Sequence, residues 1–91
     1  MKLTENDLRA LQIAKRFETE VFRFENFGKS LYPDMKFRQQ SMTQSSRLCG
    51  ERALRRLEAG RLIILTPFGY DGEYKLVLTT AGNQTLAHKD D

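Results

Sequence analysis

Hydrophobic and polar positions follow two rhythms along this chain. Between Ser46 and Ala59 the rhythm is helical. At about 100° per residue, Cys49, Gly50, Ala53, Leu54 and Leu57 fall on one side. Arg47, Glu51, Arg52, Arg55 and Arg56 fall on or flank the other. One apolar stripe therefore faces a core, and a mostly basic face looks outward. Leu48 is out of register, among the arginines. Ser45 and Ser46 are good N-cap residue types, and Gly60 fits the left-handed residue just past a helix. From Arg61 to Thr66 the pattern changes to a run of apolar β-formers, the composition of a buried strand. Tyr74 to Thr79 pairs with it as an antiparallel hairpin. Tyr74, Leu76 and Leu78 share one of its faces, and Lys75 and Val77 the other. Pro67 to Glu73 supplies a connection with the glycine and proline content of a loop. Thr80 to His88 reads as a short closing helix, capped by Thr79 or Thr80, with Ala81 and Leu86 packing inward.

The N-terminal third carries the same helical period for longer. Thr4 is a capping residue, with Glu5 and Asp7 placed to complement the helix dipole. Ala10, Ile13, Ala14, Phe17, Val21 and Phe24 share a face, and Leu11 and Phe22 widen it. Leu8 lies on the polar side without an evident reason. The spacing predicts that residues 1–28 form one long helix, running from the Thr4 cap to near Gly28, of about 24 residues and ~36 Å. That exceeds the body of a small domain, so part of the helix would overhang and leave Phe17, Val21, Phe22, Phe24 and Phe27 wet. Either residues 29–42 fold back over them, or a second copy covers them in a homodimer. Lys29 to Met42 is less legible. Tyr32-Pro33-Asp34 is a turn signal, since proline disfavours helix in the residue before it.

Leu57-Glu58-Ala59-Gly60-Arg61-Leu62-Ile63 resembles the end of the recognition helix and the first wing strand of winged helix-turn-helix proteins. Leu78-Thr79-Thr80-Ala81-Gly82, with Leu86 four residues on, resembles the Leu-Thr-x-x-Gly segment after the second wing strand in MarR-like and PadR-like regulators. The resemblance covers roughly residues 40–87. It implies an α+β winged-helix fold in a single domain, 1–91. A long N-terminal helix comes first, then a helix-turn-helix and two-stranded β wing over 34–79, and a short C-terminal helix over 80–88. It requires the first helix of the helix-turn-helix at about Asp34 to Gln40, where an extended segment is the alternative. Such regulators are usually dimers, which here points to the N-terminal helix as the dimerisation element.

Charge sharpens this picture. The net formal charge is +3. Residues 36–61 hold seven basic and two acidic residues, a balance of +5, while the rest of the chain holds eight and ten. The positive charge is gathered on the proposed helix-turn-helix, as phosphate contact would need. A solvated arginine-rich helix face is the plainer reading. One cysteine and one histidine cannot close a zinc site, and they are too far apart in the pattern for a nucleophile and its base. No glycine-rich phosphate loop is present. The chain reads as a non-enzyme without cofactor or metal, with Cys49 a packed core thiol. No apolar run approaches the ~20 residues of a membrane span. The N-terminus lacks a signal peptide's apolar core, and the lone cysteine fits a reducing cytoplasm.

The resemblance also implies a mechanism. The helix from Ser46 enters the major groove of double-stranded DNA. Gln44, Ser45, Arg47, Leu48, Glu51 and Arg52 lie in its N-terminal half, where base edges are met. Arg47 or Arg52 would pair with guanine and Gln44 with adenine. Leu48 would contact a thymine methyl, or else pack against residues 35–42. Lys36, Arg38, Arg55 and Arg56 would hold phosphates. The wing tip has Phe68, Tyr70, Asp71 and Glu73 rather than arginine or lysine, which argues against deep minor-groove insertion. Tyr70 is its candidate phosphate donor. That acidic, aromatic tip equally suits a protein-binding module, such as a phage- or plasmid-type accessory protein that blocks a partner.

Overall fold

The computed structural model describes residues 3–33, 42–69 and 71–89. Within them the fold is α+β, with four helices and a three-stranded antiparallel sheet. The elements are α1 (Glu5–Arg16), β1 (Phe22–Arg23), α2 (Phe24–Leu31), α3 (Met42–Ala59), β2 (Ile63–Phe68), β3 (Glu73–Leu78) and α4 (Thr80–Lys89). The sheet order is β1-β3-β2.

The expected single helix over 1–28 is in fact three elements. Thr4 does cap α1, in a capping box: its hydroxyl accepts from the Asp7 N–H at 3.2 Å, and the Asp7 carboxylate accepts from the Thr4 N–H at 2.9 Å. The helix stops at Arg16, with turn hydrogen bonds from Phe17 to Ala14 and from Glu20 to Phe17. Glu18 then reaches across to accept the Leu78 N–H at 2.9 Å, tying this turn to β3. Phe22 and Arg23 pair with Tyr74 and Glu73, and α2 follows at once. The helical period seemed unbroken because the turn, strand and helix each keep their aromatic residues on the core side. The rings of Phe17, Phe22 and Phe27 meet at centroid distances of 5.3 to 6.3 Å. Phe22, Phe24 and Phe27 are buried, and Phe17 and Val21 are half-buried. The expected helix or strand at 34–40 lies outside the described residues. The helix packed against α3 is α2.

The α2–α3 crossing is unusually close. A Cβ on Gly28 would lie 1.9 Å from the Ser46 carbonyl oxygen, and one on Gly50 would lie 2.1 Å from the Phe24 carbonyl oxygen. Each glycine therefore admits the backbone of the other helix. Gly28 thus sits inside α2 at a packing point, where the sequence pattern suggested a helix end. Ser46 likewise is no N-cap. With α3 starting at Met42, Ser45 and Ser46 are inside it, and Ser46 is fully buried at the crossing.

The end of α3 also differs in detail. Leu62 N–H bonds to the Leu57 carbonyl at 3.0 Å and Arg61 N–H to the Glu58 carbonyl at 2.9 Å, the Schellman pattern. That pattern places its left-handed residue at Arg61, with φ 59°, and not at Gly60. The antiparallel hairpin forms, with Ile63 opposite Leu78 and Phe68 opposite Glu73, but its first strand is shifted: Arg61 and Leu62 belong to the turn after α3, and Pro67, Phe68 and Glu73, expected in the loop, are in the strands. Gly69 and Gly72 take the positive φ values of its turn. Thr79 caps α4 through its hydroxyl, which accepts the Gly82 N–H at 3.1 Å. Gly82, not Ala81, is the inward residue, close against the Leu62 carbonyl; Ala81 is exposed and Leu86 half-buried. Leu8 finds its reason here, lining a shallow groove with Ala81, Thr85 and His88 of α4.

Two substitutions test these joints. Gly50→Ala forces side-chain carbon against backbone that cannot rotate away, so the unfolding free energy should fall by about 3 kcal/mol or more in urea titration. Arg61→Gly removes a left-handed penalty and should raise stability by about 1 kcal/mol in the same measurement.

Candidate functional site

The glycine crossing decides which side of α3 looks outward. Gly50, Leu54 and Leu57 are buried. On the opposite side Leu48, Arg52, Arg55 and Ala59 form an exposed ridge, flanked by exposed Arg47 and Arg56. Leu48, 37 % exposed, stands on this ridge as the helical period indicated. Gln44 and Ser45 fall in the first turn of α3. Lys36, Arg38 and Tyr70 lie outside the described residues.

The arginines are not equivalent. Arg47 meets Glu51 at 4.0 Å, one turn along, and Arg55 meets Glu58 at 3.0 Å. Both pairs are open to water, where such bridges contribute about 0–1 kcal/mol and exchange readily. Glu58 also holds the Arg55 guanidinium above its ordinary pKa, and that guanidinium lies 5.9 Å from the Phe24 ring centroid. Arg56 differs. Its Nε donates at 2.7 Å to Asp7, a carboxylate only 5 % exposed and already engaged in the α1 capping box. Breaking that contact would leave a buried charge without its counter-ion, which costs far more than opening a surface pair. Arg56 therefore joins α3 to α1 as well as standing at the edge of the ridge. Arg52 takes part in no ion pair or hydrogen bond among the described residues. It borders a cleft of about 330 Å³ shared with Asp7, Tyr32, Cys49 and Arg56. Cys49, expected in the core, is half-buried at the edge of this cleft.

A second cleft, of about 200 Å³, separates the N-terminal half of α3 from the hairpin loop. Arg23 and Arg47 border it with Glu25, Glu51 and Asp71, above the stacked rings of Phe24 and Tyr74 at 4.3 Å. Sequence reasoning missed Arg23. It donates to the Asp71 carbonyl and sits 3.9 Å from Glu73, so it offsets the acidic loop and braces it. The signal was the alternation of Val21-Phe22-Arg23, hidden inside a longer helical period. At the hairpin tip Phe68 is 48 % exposed, with the Lys75 ammonium 4.8 Å from its ring centroid.

Among the described residues no three His, Cys, Asp or Glu side chains gather as a metal site, and no helix there is long and apolar enough to cross a membrane. Comparison of the chain with protein-family models, curated proteins and solved structures returns no match.

The Asp7–Arg56 contact gives a pH test. Burial acts to raise the Asp7 pKa, but hydrogen bonds from the Thr4 backbone, Arg56 and the Thr4 hydroxyl outweigh it and hold it below its ordinary value. A depressed carboxylate pKa stabilises the fold above the unfolded-state value, and that stability is lost as pH falls through the folded value. Asp7→Asn should therefore cost about 1–3 kcal/mol near neutral pH. In urea titrations repeated at falling pH, the gap from wild type should narrow below about pH 4.

Proposed function

We propose that this chain is a winged helix-turn-helix protein that binds double-stranded DNA in a sequence-specific manner, as a small transcriptional regulator. The observation that carries the reading is the outward ridge of α3. An 18-residue helix, anchored on one side by the Gly28–Gly50 crossing, presents Leu48, Arg52 and Arg55 to solvent on the other. A major groove about 12 Å wide admits such a helix. The element order α1-β1-α2-α3-β2-β3, with the sheet ordered β1-β3-β2, supports the winged-helix assignment. In it α2 and α3 are the helix-turn-helix pair, and the β2–β3 hairpin is the wing.

Roles follow from the pairing of each arginine. Arg52, without a partner among the described residues, is the base reader, pairing with guanine. Leu48 beside it contacts a thymine methyl, and Gln44, one turn earlier, pairs with adenine. Arg47 and Arg55 hold phosphates after releasing Glu51 and Glu58, an exchange of weak surface pairs for charge-assisted contacts. Glu51, once freed, is an acceptor for a cytosine amino group. Arg56 contributes its field while remaining bonded to Asp7. Ser45 and the α3 N-terminus add an amide contact to phosphate. Lys36, Arg38 and Tyr70 complete the proposed phosphate contacts.

One observation favours a second reading. The carboxylates bound to Arg47, Arg55 and Arg56 cancel part of the ridge's charge, and Phe68 projects from the hairpin. A winged-helix module that grips a protein partner would use that projection.

A pooled random-duplex selection separates the two. DNA binding should enrich a defined site, with Arg52→Ala weakening it by about 1–3 kcal/mol. Arg47→Ala and Arg55→Ala should weaken all duplexes alike and flatten the salt dependence by about one phosphate each. Retention of no duplex at low salt would reject the reading. The protein-binding alternative instead expects Phe68→Ala to abolish capture of a partner while Arg47→Ala and Arg52→Ala leave it intact.

A further inference from the structure

The described residues include four exposed large hydrophobic side chains, and three of them share one surface: Ile64 at 56 %, Phe68 at 48 % and Val77 at 48 %. That surface is the outer face of the β2–β3 hairpin. Alternation fixes it. Ile63, Leu65, Leu76 and Leu78 point into the core, so their neighbours point away. The register arranges the outer face in three rows: Ile64 opposite Val77, Thr66 opposite Lys75, and Phe68 opposite Glu73. The rows run from fully apolar, at the end near α4, to charged at the loop.

We propose that this face docks a second copy of the chain, hairpin upon hairpin about a two-fold axis along the strands. The argument is self-complementarity. Such an axis lays β2 of one copy over β3 of the other. The Ile64–Val77 row then meets its own equivalent, which removes both apolar pairs from water. Lys75 has no carboxylate partner in its own chain among the described residues. It rests on the Phe68 ring, and its ammonium comes within reach of the partner copy's Glu73, which here holds only a loose 3.9 Å contact with Arg23. The symmetric contact forms on the other side. Attachment by strand addition at the free edge of β2 is disfavoured, because Pro67 offers no N–H there. Docking is face to face, at the roughly 10 Å spacing of stacked sheets.

Size sets the strength. Two six-residue strands present a face of roughly 20 by 10 Å, well below the ~800 Å² per partner of a stable interface. The dimer is therefore a weak one, with association in the micromolar to millimolar range. It leaves the outward ridge of α3 uncovered, since the two surfaces share no residue, and it holds whatever that ridge binds.

Sedimentation equilibrium from about 10 μM to about 1 mM covers the range of dissociation constants expected. Wild type should pass from monomer toward dimer mass. Val77→Glu and Ile64→Lys, both at exposed positions and checked by circular dichroism, should each weaken association at least tenfold. Lys75→Glu alone and Glu73→Lys alone should each self-associate less than wild type. An equimolar mixture of these two variants should associate again, because each supplies the charge the other lost. A monomer mass throughout the range, or dimerisation untouched by Val77→Glu, would overturn the proposal. So would a mixture no more associated than its parts. None of these readings involves nucleic acid, so their failure is separate from failure of the DNA-binding assignment.

Discussion

Two helices of this fold meet backbone against backbone. Where α2 crosses α3, Gly28 and Gly50 each leave room for the other helix's main chain. Most helix pairs stand about 8–10 Å apart with side chains interleaved between them. Here the missing Cβ atoms let carbonyls take that place, with Ser46 buried beside them. The consequence for function is rotational. Fixing Gly50 against α2 fixes the rotation of α3 about its own axis, and so fixes which residues lie half a turn away. Those residues are Leu48, Arg52, Arg55 and Ala59. A side chain at either glycine would have to separate the helices or turn α3, and either movement would redirect the ridge.

The same crossing explains what could and could not be read from the chain. The faces of α3 and the pairing of β2 with β3 were legible because each is a local periodicity set by one core. The N-terminal third misled for a related reason. Hydrophobic spacing records which side of a segment meets the core, not how the backbone gets there. Phe17, Phe22, Phe24 and Phe27 all meet that core, two from helix, one from strand and one from the turn that precedes the strand. A two-residue strand such as β1 is too short to impose its own alternation on a pattern of that kind. Glycine was misjudged at both ends of the argument. Gly28 looked like a stop and is a packing residue. Gly60 looked like the left-handed cap, yet the Schellman hydrogen bonds pass that conformation to Arg61. Composition names the residue types available for a turn and does not fix the register in which the backbone uses them.

Charge was legible in amount but not in engagement. The excess of arginine on α3 is plain in the sequence, and the pairs with Glu51 and Glu58 follow helical spacing. The pair with Asp7 spans 49 residues and needed the fold. It changes the meaning of Arg56, since a buried carboxylate holds its guanidinium far more firmly than a surface glutamate would. Among the described residues Arg52, then Arg47 and Arg55, then Arg56 thus form a graded series from unpaired to exchangeable to fixed. A cationic ridge built this way leaves Arg52, near the middle of α3, open to a new partner, and spends Arg56, nearer the C-terminal end, on holding α1 in place.

The ridge and the hairpin are held in one orientation by the three residues between them. Gly60, Arg61 and Leu62 join α3 to β2, and contacts from three directions converge on them. The Schellman hydrogen bonds bind the joint to the last turn of α3. Thr79 binds it to the end of β3, through its hydroxyl to the Arg61 carbonyl at 2.7 Å and its N–H to the Leu62 carbonyl at 3.0 Å. The helix α4 closes over it where Gly82 meets that same Leu62 carbonyl. The joint is thus held from the helix, the strand and the closing helix together. These contacts tie the outward face of α3 to the outer face of the hairpin. Whatever engages one of them also sets the direction in which the other points.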